Sequence, residues 1–214
     1  MHIVSTVKHS GFALILFVTV YGPAFALVAV LHPSVKVAIP VIIIVSAGLA
    51  AAIMAFLVRG PRGIEEFGVA MCSASYIFVA TVTGIFAGAA LAYVATLHPM
   101  PPPLDVSKLR PQMIFVYFVL AAPVQEELIF RGLLQSSIAH AVSVPGDFWA
   151  VHFPVAFVAA LFGVIHLESG VLVAAGAVVL GLIAGELRRM SGSLVPAILV
   201  HALFNAVSAL WPSG

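Results

Sequence analysis

Charge is what this chain has least of. Among its 214 residues there are nine Lys or Arg and eight Asp or Glu, 8% of the whole, against 63% hydrophobic residues; an average soluble domain carries roughly a quarter charged residues. That deficit excludes a soluble fold with a single apolar core. Cysteine is scarcer still: Cys72, alone in an apolar run, can form neither an internal disulfide nor a multi-cysteine metal site, and is read as packing. Basic clusters are missing too. No run of Lys and Arg exceeds a pair and the net charge is +1, so nucleic acid has no electrostatic foothold. Nor is there the polar–apolar alternation over about ten residues that strands of a membrane β-barrel require; "VAIPVIIIVSAGLAAAIMAFLV" is apolar all round.

What remains is long apolar runs, several reaching the roughly 20 residues a helix needs to cross a hydrocarbon core. The pattern predicts an all-α fold, a polytopic transmembrane helix bundle of about seven spans, near 11–31, 37–58, 67–97, 112–142, 153–167, 170–187 and 194–211. The third is longer than a bilayer needs, so tilt or a water-exposed end is expected. Three consecutive prolines in "HPMPPPLDVSKLRP" cannot continue a helix. They mark the clearest loop, and "SVPGDFWAVH" is read as another. The amino-terminal stretch ending "AFA" resembles a signal peptide, but its apolar run continues to Leu31 and is read as the first span.

Lys8, Arg59, Arg62, Arg188 and Arg189 would share one side of the membrane with the amino terminus, against Lys36, Lys108 and Arg110 opposite, a small bias towards a cytoplasmic amino terminus. Within one integral membrane domain, residues 1–98 hold spans without motifs and residues 112–214 hold the chemistry.

An ionisable group at the centre of a span costs at least about 2.5 kcal/mol on insertion scales, so such groups mark functional sites by default. Three clusters stand out: Glu126-Glu127-x-x-x-Arg131 in "PVQEELIFRG", Phe162-x-x-x-His166 in "LFGVIHL" and His201-x-x-x-Asn205 in "LVHALFNAV". Glu127 and Arg131, four apart on one helix face, can pair. Glu126 points about 100° away and is free for general-base chemistry. Pro123 removes a backbone bond and bends the helix, which could open a wet pocket beside that carboxylate. His201 and Asn205, also four apart, present an imidazole and an amide side by side, as donors of an oxyanion hole are arranged. His166, from a third helix, could hold the attacking water together with Glu126.

Each cluster has a plainer reading. Glu127 with Arg131 can be read as an internal structural pair. His166 alone could cap a helix, and His201 with Asn205 could be hydrogen-bonding glue between helices. Their coincidence on three spans favours a shared site. His2, His9, His32, His98, His140 and His152 fall in tails, loops or helix ends and are given no function; Met and the 15 Phe are read as packing or lipid-facing surface.

In order and spacing the three motifs resemble those of the CPBP family, the CAAX prenyl protease and bacteriocin-processing (Abi) group of intramembrane glutamic proteases. "EELIFRG" stands for its EExxxR motif, "FGVIH" for FxxxH and "HALFN" for HxxxN; the resemblance covers residues 112–211. It implies an endopeptidase with no required metal, in which Glu126 and His166 activate water, His201 and Asn205 stabilise the tetrahedral oxyanion, and Glu127, Arg131 and Phe162 support the geometry. It further implies a membrane-associated protein or peptide substrate, with or without a lipid, and residence in the cytoplasmic membrane of a prokaryote. Two rivals use the same residues. A zinc protease would take Glu126, His166 and His201 as ligands. A non-catalytic immunity or peptide-binding protein would use the cavity without chemistry. A proton-relaying transporter is disfavoured because no repeated halves are evident.

Overall fold

A computed structural model of the chain describes residues 67–98, 115–142 and 148–210, with the single positions 48, 65 and 112. The span expected at 11–31, that at 37–58 apart from position 48, and the loop at 99–111 lie outside the described residues. Among the described residues all regular secondary structure is helical. We label the helices α1 (Ala74–Leu97), α2 (the unbroken run 115–142), α3 (Phe148–Ile165), α4 (Val171–Ser191) and α5 (Val195–Leu210). Two of them, α1 and α4, are long and apolar enough to cross a membrane; the apolar stretches His152–Ile165 and Val195–Leu210 are shorter.

Small residues determine how these helices meet. The buried face of α1 consists of Ala80, Gly84, Gly88 and Ala92, and it packs on α5. A Cβ at Gly84 would lie 2.8 Å from the Val200 carbonyl oxygen, and one at Gly88 would lie 2.8 Å from that of Phe204. Backbone therefore meets backbone, the packing that a small-xxx-small pattern permits between apolar helices. On α4, Gly181 and Gly185 repeat the device against α3: a Cβ at Gly181 would come 2.9 Å from Ala159 Cα, and one at Gly185 2.8 Å from Val155 Cγ1. The outward faces stay apolar, with Phe78, Phe86 and Tyr93 exposed on α1 and Val171, Val179 and Leu182 on α4.

Two boundaries differ from those expected. The third span begins at Ala74 rather than 67, because residues 67–73 are held as a non-helical clasp on the α4–α5 turn. There Leu194 N–H donates to Gly68 O at 2.8 Å, the Ser193 hydroxyl donates to Ala70 O, and the Tyr76 hydroxyl donates to Met190 O at 3.0 Å. The loop expected over 143–152 gives way to helix from Phe148, with Pro154 inside α3. His152 is thus a helical residue, and its Nδ1 lies 2.8 Å from Glu186 Oε1 on α4. That cross-helix partner could not be read from local composition.

The helix α2 is not uniform. It is π-helical over Phe115–Ala121, α-helical over Ala122–Glu127, π-helical again over Leu128–Gln135 and α-helical over Ser136–Val142. Wide turns of this kind are rare and concentrate at functional sites. The double glutamate stands at the end of the α-helical segment between them.

Candidate active site

Pro123 explains the first wide turn and what fills it. In a π register each N–H bonds the carbonyl five residues back, so the next donor after Ala122 would be the N–H that Pro123 lacks. The carbonyl that such a π-register N–H would have bonded is that of Phe118. Asn205 Nδ2 donates to it at 2.8 Å from α5, which satisfies the orphaned acceptor and ties the HxxxN motif to the helix of the glutamates. An amide nitrogen carries two hydrogens, so one N–H of Asn205 is left for other work.

The next turn carries the charges. Glu127 and Arg131 are both fully buried, and Arg131 NH1 donates to Glu127 Oε1 at 2.9 Å. The same oxygen lies 2.8 Å from His201 Nδ1. One carboxylate oxygen thus serves a cation on its own helix and an imidazole 74 residues away. Glu126 is turned elsewhere. Its side chain keeps 18% of its surface open, and its Oε2 lies 3.7 Å from His201 Nε2.

His166 ends α3. Its Nδ1 donates to Phe162 O at 2.7 Å; a carbonyl can only accept, so Nδ1 carries a proton, and in the neutral ring Nε2 is left with its lone pair. Phe162 is the hub of the arrangement. Its ring centroid lies 4.6 Å from the His166 ring, 5.7 Å from the His201 ring and 5.0 Å from Phe130, while the Arg131 guanidinium carbon stands 4.7 Å from it. A buried cation over an aromatic face gains about 2 kcal/mol, some compensation for a guanidinium whose Nε and NH2 have no protein partner among the described residues.

The structure therefore brings Glu126, Glu127, Arg131, Phe162, His166, His201 and Asn205 into one neighbourhood built from α2, α3 and α5. Gln135 was not anticipated. It lies four residues beyond Arg131 on the same face, is buried, and donates from Nε2 to Gly185 O at 3.0 Å; the four-residue spacing from Glu127 and Arg131 was the available signal. The Phe118 carbonyl had none, since no side chain announces it. Among the described residues no three His, Cys, Asp or Glu are grouped closely enough to hold a metal ion, so a zinc site of Glu126, His166 and His201 is not formed in this arrangement.

Residues 109–207 match the family model described as "Type II CAAX prenyl endopeptidase Rce1-like". No curated protein matches the chain, and no solved structure does.

Proposed function

We propose that this protein is an intramembrane glutamic endopeptidase: residues 109–207, a little under half of the chain, match the Rce1-like type II CAAX prenyl endopeptidase model, whose family is membrane-embedded and acts on membrane-associated proteins. Its catalytic core would be residues 112–214, within a bundle of about seven spans. Glu126, with His166, takes a proton from a water molecule whose oxygen attacks the scissile carbonyl carbon. His201 and the remaining N–H of Asn205 stabilise the oxyanion that forms on the carbonyl oxygen. Collapse of the tetrahedral species breaks the C–N bond, and the proton taken from water passes to the leaving amine.

The observation that carries this reading is the partly open Glu126 carboxylate, 3.7 Å from His201 Nε2, in the midst of buried apolar side chains. A polar group without chemistry has little reason to remain in such a place. The substrate is a membrane-associated protein or peptide, lipidated at the cleaved end if this chain follows the prenyl specificity in its family's description.

Glu126→Gln tests the proposal. The variant should fold and enter the membrane as the parent does, yet lose hydrolysis of an S-farnesylated C-a-a-X peptide in detergent micelles. Cells carrying it should accumulate an uncut terminus, detected by proteomics of membrane-anchored and secreted peptides. A Glu126→Gln protein that retains turnover would remove residue 126 from the chemistry, whereas a biological effect independent of residue 126 would instead show a peptide-binding or immunity protein.

A further inference from the structure

Glu127 does more than neutralise Arg131. Its Oε1 stands 2.9 Å from Arg131 NH1 and 2.8 Å from His201 Nδ1, and a carboxylate can only accept from that nitrogen. Nδ1 of His201 therefore carries a proton, the single one in the neutral ring, and Nε2 is the nitrogen turned to Glu126 Oε2 at 3.7 Å. A hydrogen bond at one imidazole nitrogen decides what the other can do. We infer that Glu127 is a positioning residue for His201, fixing its proton on Nδ1 so that Nε2 exchanges a proton with Glu126.

Resting on the proposed hydrolysis, this assigns an order to its protons. The proton that Glu126 takes from the attacking water moves on to His201 Nε2 as the oxyanion forms; the 3.7 Å gap shortens to hydrogen-bond length in the substrate complex, as catalytic contacts do. The imidazole then carries both protons, opposed by the Glu127 carboxylate, and its new N–H faces the oxyanion when the charge appears. On collapse the same proton goes to the leaving amine. No external acid or oxidant is needed, and Glu126 and His201 return to their starting states.

Nitrogen-15 NMR of the full chain labelled at histidine, in micelles, tests the first step without any substrate. His201 resonances, identified by their loss in His201→Gln, should show the proton on Nδ1. Glu127→Met would strand a buried cation, so the informative variant is Glu127→Met with Arg131→Met, which removes both charges. That protein should fold, with the single His201 proton redistributed to Nε2, and kcat on the S-farnesylated C-a-a-X peptide should fall between about 10²- and 10⁴-fold with KM little changed.

A wild-type His201 with its single proton on Nε2, or with protons on both nitrogens at rest, overturns the inference, as does a double variant with full turnover, which would reduce Glu127 to a counter-ion. Absence of cleavage by the wild type would defeat the protease reading instead, and the tautomer would still be decided by the spectra.

Discussion

At the scale of single residues, Phe162 shows how an apolar side chain can organise a polar site. Its ring is almost fully buried and touches His166, His201 and Phe130, with the Arg131 guanidinium facing it. Removing it would leave a cavity and take away the π face from a buried cation. Phe162→Ala should therefore cost about 3–5 kcal/mol of stability, measured by denaturation in micelles, and should loosen both imidazoles. A loss smaller than about 1 kcal/mol would mean that the neighbours collapse into the space and that the ring does not hold the site. The spacing within one helix was legible at this scale: four residues put Glu127 beside Arg131. That Glu127 also serves His201 was not, because the two lie 74 positions apart and nothing in either local pattern encodes their meeting.

At the scale of elements, the break at Pro123 was readable, since proline removes a donor wherever it stands. Its form was not. Whether the helix kinks or widens depends on what takes up the spare carbonyl, and here Asn205 comes from α5 to do it. This makes a separable prediction. Asn205→Ala leaves Phe118 O unsatisfied and should cost about 1–3 kcal/mol as well as lowering turnover. Adding Pro123→Ala supplies a backbone N–H nearby, and the double variant should recover much of the stability while turnover stays low. Recovery of both would assign Asn205 a purely structural part; recovery of neither would detach the carbonyl from the proline.

Helix contact offers a second prediction at this scale. Leu at Gly84 or Gly88 drives a side chain into α5 backbone 2.8 Å from the first added carbon, which cannot yield as a side chain would. A loss of about 1–3 kcal/mol is expected, whereas Phe86→Leu on the exposed face should stay within about 0.5 kcal/mol. Thermal unfolding in detergent would compare them. The apolar runs revealed the helices, but the starts at Ala74 and Phe148 were hidden: the clasp of residues 67–73 and the His152–Glu186 contact are tertiary in origin.

At the scale of the molecule, what matters is the solvent around the bundle. A globule in water buries its large apolar side chains and exposes small and polar ones; α1 does the reverse, with Ala80, Gly84, Gly88 and Ala92 inside and Phe78, Ile85, Phe86 and Tyr93 outside. Its 24 residues span about 36 Å at 1.5 Å each, enough for a hydrocarbon core of about 30 Å. Phe86 lies near the helix midpoint and faces outward, so in a bilayer it sits at the depth furthest from water. In a Cys72→Ala background, Phe86→Cys should resist a charged, membrane-impermeant maleimide in intact membranes and in membranes opened to admit the reagent on both sides, and should react once the protein is dissolved in SDS. Prompt labelling in opened membranes would place this face of α1 in water. The apolar exterior would then belong to a protein interface, and the glutamate site would lose the low-dielectric setting on which its proposed chemistry depends.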